Sequence, residues 1–318
     1  MGRKIKTLTY PITAVVLTVS SGCSVDFYAR RMVKYNTAKG KVALWWIGSA
    51  DKLVEKGRIS SHHRIPTADG TKLDVWVIQG RSDGSDNAEP HQPPRGTVMI
   101  LHGILDSKAR FFTMGRQMAR MGYNVVMLDH RAHGRSEGTY TTFGAKEKFD
   151  ARDVIDSLLE SGDITEPIYV FGQSMGAAIA VQYAAIDPRC RAVMAVAPYT
   201  DMRSAARRFV PFMNAKKFEE VVERAGEIAG FDPDDASALR AASELAAPLL
   251  VVHGRIDAIV PHRHGVAVYN AANVQKKLVT FPLLGHISLV LGRQTWFAEQ
   301  ADRHFRSTAE TKDSPPNQ

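Results

Sequence analysis

Ser174 stands in the run Gly172-Gln173-Ser174-Met175-Gly176. Strand formers, Ile168 to Phe171, precede the run, and an Ala-rich helical segment begins at Met175. A hydroxyl at so abrupt a strand-to-helix turn needs strained backbone. Glycines at 172 and 176 remove the β-carbons that would hold strand and helix apart. The helix start beneath it offers unpaired N–H groups and the positive end of a dipole. These features suit a nucleophile, but a serine hydroxyl is weak until a base takes its proton and an acid orients that base. Both follow in the chain. Asp257 lies in HGRIDAIVP, directly after the apolar run PLLVVHG, and His286 lies in LLGHISLV, directly after KKLVTFP. Asp201, after the preceding strand, competes as the acid. Asp257 is preferred because the Gly254-x-x-Asp257 turn leads straight off a buried strand.

An acyl-transfer reaction also needs donors for the oxyanion of its tetrahedral intermediate. The N–H of Met175, just after the nucleophile, is one. The loop after GTVMILHG should give the second, and Ile104 is the residue chosen; His102 beside it reads as a structural donor holding that loop. The remaining histidines fit the base position badly. His62 and His63 fall in an early strand, His262 and His264 at a helix start that reads as surface, and His304 near the C-terminus. None has metal-ligand spacing, so no metal is expected.

Strands alternating with helices must bring these three loops together. Paired strands are predicted in RISSHHRIP and KLDVWVIQG, then buried strands in GTVMILHG, YNVVMLDH, PIYVFGQ, RAVMAVAPY, PLLVVHG and KKLVTFP. Helices are predicted near 107–121, 147–161, from Met175, and over 287–306. The alternation implies an α/β fold with a mainly parallel sheet flanked by helices. Residues 201–247 break the rhythm with helical patterns only and read as a small helical cap. It is leaving the carboxyl end of a strand, where ligands of such sheets bind. The organisation is therefore a leader over 1–22, a helical segment or tether over 23–57, one domain over 58–306 with the cap inside it, and a disordered tail over 307–318.

With 318 residues, 44% hydrophobic and 23% charged, the chain can bury a large core. Its formal charge of +8 is spread out, without a basic block interleaved with aromatics, which argues against a nucleic-acid partner. The N-terminus, MGRKIKTLTYPITAVVLTVSSGC, has a basic start, a moderately apolar run and small residues before Cys23. That is a secretory pattern, too short for a membrane span. The small residues before Cys23 resemble a bacterial lipobox, although Ser20 departs from the Leu usual there. The resemblance implies cleavage before Cys23, lipidation of that residue, and a protein held on a membrane of the bacterial cell envelope. The rival readings are an ordinary cleaved signal, giving a periplasmic or secreted protein, and an uncleaved anchor. The other cysteine, Cys190, reads as a structural thiol.

Taken together, His102-Gly103, the segment Asp129 to Ser136, the Ser174 turn, the Asp257 turn and Gly285-His286 resemble the serine α/β-hydrolases over about residues 60–306. The stretch FDPDDASALRAASELAAPLLVVHG is similar to the lysophospholipase-like (Bem46-type) branch. The resemblance implies that His286 deprotonates Ser174 for attack on an ester carbonyl, that Asp257 orients His286, and that the N–H groups of Ile104 and Met175 hold the oxyanion. It implies a small-molecule ester or lipid substrate, acylglycerol or lysophospholipid among them, and no need of a cofactor. It assigns 129–136 to a structural turn, with His133 able to line the pocket. Apolar residues in the cap, Phe209, Val210, Phe212, Met213 and Phe218, either accept an acyl chain or dock the cap on the core. Peptidases and thioesterases share this fold, and a lipoprotein using the pocket only for binding is a non-catalytic alternative.

Overall fold

The computed structural model describes residues 25–34, 49–81, 93–208 and 210–310. The leader, Cys23, Phe209 and residues 311–318 lie outside that set. Among the described residues no helix is long and apolar enough to cross a membrane.

Eight strands form one sheet: β1 (Ser61–Pro66), β2 (Lys72–Ile78), β3 (Thr97–Leu101), β4 (Asn124–Leu128), β5 (Ile168–Gln173), β6 (Cys190–Val196), β7 (Leu249–Gly254) and β8 (Lys276–Phe281). Their order is β1-β2-β4-β3-β5-β6-β7-β8. β1 and β2 form an antiparallel hairpin, β2 pairs antiparallel with β4, and all remaining pairs are parallel. The chain runs from β3 to β4 on one side and then returns to place β5 on the other side of β3. In open sheets of this kind, ligands bind outside the carboxyl ends of the strands at such a reversal.

The continuous apolar runs of the central strands follow from burial on both faces. Met99, Leu101, Val126 and Val170 face one core; Val98, Ile100, Met127 and Phe171 face the other. Each fully buried side chain of this size contributes roughly 1.5–3 kcal/mol. The first core is covered by α4 (Glu147–Glu160) and α5 (Met175–Ile186), the second by α3 (Phe112–Arg120) and α11 (Gln294–Glu310), after α1 (Val25–Val33) and α2 (Ala50–Glu55). α5 is buried all round from Met175 to Ala184, so its small alanines let it lie close to the sheet.

Residues 201–247 hold α6 (Met202–Arg207), α7 (Ala215–Ala229), a 3-10 turn and α8 (Ala238–Ser243). Among the described residues of this segment, β structure is limited to an isolated bridge between Asp201 and Ser237. α7 packs against α1, an attachment closed by an ion pair of 2.6 Å between Arg224 and Asp26. α8 packs instead on α5 and on α9 (His262–Ala271), so it joins the helical layer. Val210, Met213 and Phe218 are buried in the first core, whereas Phe212 is exposed. The apolar residues of this segment thus mostly dock it.

The C-terminal helix differs from expectation. It is two helices, α10 (His286–Val290) and α11, with Gly292 between them in left-handed backbone, φ 71°. Glycine takes that conformation without a β-carbon penalty and ends the first helix there. Order also continues past residue 306, because Phe305 and Thr308 are buried and α11 runs to Glu310.

Candidate active site

The turn at Ser174 has the strained backbone its flanking glycines imply, with φ 56° and ψ −115°. A β-carbon on Gly172 would stand 2.1 Å from the Gly176 carbonyl oxygen, and one on Gly176 would stand 2.2 Å from that of Leu101. Strand β5, helix α5 and the end of β3 therefore meet at distances only glycine allows. The Ser174 N–H donates to the Val196 carbonyl, and the Ser174 carbonyl accepts from Ala177 and Ala178. The turn is tied to both β6 and α5.

Three loops from the carboxyl edge of the sheet converge on this serine. His286 begins α10, with Nε2 3.0 Å from Ser174 Oγ and Nδ1 2.7 Å from Asp257 Oδ2. Asp257 is buried, and its Oδ1 accepts from the N–H groups of Ile259 (2.9 Å) and Val260 (2.7 Å). Burial opposes ionisation of Asp257, but hydrogen bonds from His253 and His286 outweigh it and hold the carboxyl well below its ordinary range. An ionised Asp257 fixes the proton of His286 on Nδ1 and leaves the Nε2 lone pair facing the hydroxyl. His253 was not singled out in the sequence. It is fully buried, with Nε2 2.9 Å from the Val260 carbonyl and 3.5 Å from Asp257 Oδ2. A carbonyl only accepts, so His253 Nε2 carries the proton and donates it to Val260, with the Asp257 carboxylate alongside.

Asp201, the competing acid, caps α6. Its Oδ1 accepts from Ser204 N–H at 2.7 Å, in a capping box.

The loop after β3 closes the other side. A β-carbon at Gly103 would stand 2.5 Å from Gln173 Oε1 and 3.4 Å from Ser174 Cβ, so this backbone lies against the nucleophile. Ile104 follows Gly103. Met175 is the first residue of α5, where backbone N–H groups have no partner within the helix. His102 holds the loop from behind: its Nε2 accepts from His130 N–H (3.1 Å) and its Nδ1 donates to the Gly103 carbonyl (2.7 Å). That pair of bonds requires the neutral ring, and burial, reinforced by His133, lowers its pKa to about 3.

The segment Asp129 to Ser136 is a buried turn, and it hangs on a lysine absent from the sequence reading. Lys108 is fully buried, 2.5 Å from both Asp74 and Asp129, with Trp76 under its ammonium at 4.7 Å. Burial works against ionisation of Asp74, but Lys108 keeps its carboxyl below the usual range. Asp129 also accepts from Arg135 N–H, and Gly134 has φ 52° with no room for a β-carbon beside that carboxylate. His133 is 1% exposed, with Nδ1 2.9 Å from the Arg131 carbonyl, so it belongs to this packing and not to a pocket wall. His264 likewise departs from its surface reading: it is buried, 3.1 Å from Thr200 Oγ1. Cys190 is buried, which pushes its thiol pKa up. Among the described residues no group of three His, Cys, Asp or Glu side chains is arranged to hold a metal ion.

Residues 92–228 match the family described as serine aminopeptidase, S33. The esterase Pf2001 of Pyrococcus furiosus superposes with a TM-score of 0.61 at 22% identity, over 80% of this chain and 94% of that one. The chain has the α/β-hydrolase fold. Among relatives by sequence, YfhR of Escherichia coli (strain K12) is 25% identical over 222 residues, 69% of this chain and 70% of that protein. The lysophosphatidylserine lipase ABHD12 of Xenopus tropicalis is 26% identical over 200 residues, 57% of this chain and 48% of that protein. In this α/β-hydrolase fold, Ser174, Asp257 and His286 come from the loops after β5, β7 and β8.

Proposed function

We propose that the protein is a serine hydrolase of carboxylic esters. The observation that carries the reading is His286 hydrogen-bonded on one side to Asp257 and on the other to Ser174. His286 takes the Ser174 proton as Oγ attacks the ester carbonyl. The N–H groups of Ile104 and Met175 stabilise the oxyanion, and Asp257 stabilises the imidazolium. His286 then protonates the departing alkoxide. Water, deprotonated by the same imidazole, attacks the acyl-enzyme and releases the acid. No step requires a cofactor.

The name of the ABHD12 relative supports lysophospholipid esters as the substrate class. The description of the matched family favours a second reading, hydrolysis of peptides. A panel of acyl esters, lysophospholipids, thioesters and aminoacyl peptides, run on wild type and Ser174→Ala together, separates these. Ester turnover lost on Ser174→Ala is the expected result; turnover confined to peptides selects the second reading. The basic, apolar, small-residue leader supports cleavage before Cys23 and a lipid-anchored envelope protein. The mass of the mature N-terminus tests this, and an unmodified Cys23 rejects it.

A further inference from the structure

The loops that carry the proposed site also carry aliphatic side chains left in water. Leu105 lies just beyond the Gly103 turn, Ile256 and Ile259 flank Asp257, Leu283 and Ile287 bracket His286, and Leu291 ends α10. Their exposures run from 38% to 83%. These loops touch. Ile256 N–H donates to the Leu284 carbonyl, and a β-carbon on Gly285 would stand 3.4 Å from the Ile256 carbonyl. Gly103, two residues before Leu105, lies against Ser174. Backbone contacts thus set the loops that carry these six side chains side by side next to the serine, as a rim. Leu105 even holds left-handed backbone, φ 62°, a conformation a leucine rarely adopts. Scattered exposed aliphatics need no explanation, but a cluster at one opening does.

The charges beside the rim have one sign. Between β7 and α11 the only acid is Asp257, which is buried and bound to His286, while Arg255 and Arg263 are exposed. Arg208 donates to the Ala258 carbonyl between the two isoleucines. Asp106, next to Leu105, is paired with Arg110 at 3.6 Å. An aliphatic ring with a cationic fringe complements acyl chains beneath anionic headgroups.

We propose that this rim docks the protein on an anionic lipid–water interface, so that an ester passes from the lipid layer to Ser174 without crossing water. The proposal rests on the ester reading for the identity of that cargo; the docking itself does not.

The test uses the full chain carrying Cys23→Ala and Ser174→Ala, which removes both the acyl anchor and turnover. Its partition onto vesicles of phosphatidylcholine, with and without phosphatidylglycerol, is measured by flotation. Binding should rise with phosphatidylglycerol and fall with salt. Adding Leu283→Asp and Leu291→Asp should lower partition about tenfold, and Arg255→Gln with Arg263→Gln should weaken it only on the anionic vesicles. Thermal midpoints check folding, and Leu283→Ser alone replaces the aspartate pair if that pair does not fold. Partition unaltered by any rim substitution overturns the proposal. So does a lipid-free dimer, seen by light scattering, that Leu283→Ser dissociates, because a second copy would then cover the rim. Docking by a chain whose wild type hydrolyses no ester would sink the functional reading alone; ester hydrolysis without docking would sink this one alone.

Discussion

The histidines packed behind the site should make the fold acid-labile by an amount the structure sets. His102, His130 and His133 are at most 1% exposed, with ring centroids 4.5 to 6.4 Å apart. Burial lowers the pKa of each, and repulsion within the cluster lowers those of His102 and His130 further. In the unfolded chain each titrates near 6.5. Below that pH the unfolded state binds protons that the native state refuses, so stability is full above about pH 6.5 and is lost as pH falls. His102 and His130, held furthest below, each contribute a slope of about 1.4 kcal/mol per pH unit, together about 3, and His133 adds in the same sense. His264 and His304, also lowered by burial, add in the same sense. Asp150, pushed up to about 6 by burial, opposes with one proton. Against a total stability of about 5–15 kcal/mol, a loss of several kcal/mol over the two units below pH 6.5 takes much of the fold's stability. Depressed carboxylates such as Asp257 and Asp74 lose their contribution only at lower pH, which leaves the window from 6.5 to 4.5 to the histidines, offset by Asp150. The assay is urea unfolding at half-unit steps through that window. Among the described residues neither ring nitrogen of His130 has a hydrogen-bond partner, so His130→Phe removes a proton site without breaking a bond seen there. The variant should flatten the slope by about 1.4 kcal/mol per unit. Stability that does not change between pH 6.5 and 4.5, or a variant slope equal to wild type, would refute the reasoning.

Further outcomes follow from single contacts. Asp257→Asn presents an amide NH2 to His286 Nδ1 and forces the ring proton onto Nε2, so kcat should fall roughly 10⁴-fold. Asp201→Asn should stay near wild type in the same steady-state assay, because asparagine caps helices as well as aspartate does. Gly172→Ala sets a methyl 2.1 Å from a backbone oxygen and should cost about 3 kcal/mol or more in urea unfolding. Lys108→Met leaves Asp74 and Asp129 buried without their shared cation, and should cost roughly 3–5 kcal/mol at pH 7 by the same measurement.

The sheet was legible because strands buried on both faces are unbroken apolar runs, and every predicted run from GTVMILHG to KKLVTFP is a strand. The positions of Ser174, Asp257 and His286 were legible because each follows such a run immediately. What lay hidden depends on distant partners. Lys108 reads as an ordinary surface lysine until β2 and β4 bring Asp74 and Asp129 to it. His253 sits inside an apolar strand, and nothing local indicates that its ring reaches Asp257. His264 looked exposed because it opens a helix, but Thr200 covers it. The single helix expected over 287–306 is two, because Gly292 takes left-handed backbone and ends one helix before the next begins.

The central claim is that His286 makes Ser174 a nucleophile, and reaction with a fluorophosphonate probe tests it most directly. The account predicts a single adduct on the folded protein, mapped by mass spectrometry to Ser174. The adduct should be absent from Ser174→Ala and form far more slowly on His286→Ala. A folded wild type that does not react, an adduct on another residue, or equal labelling of the His286→Ala protein would contradict it.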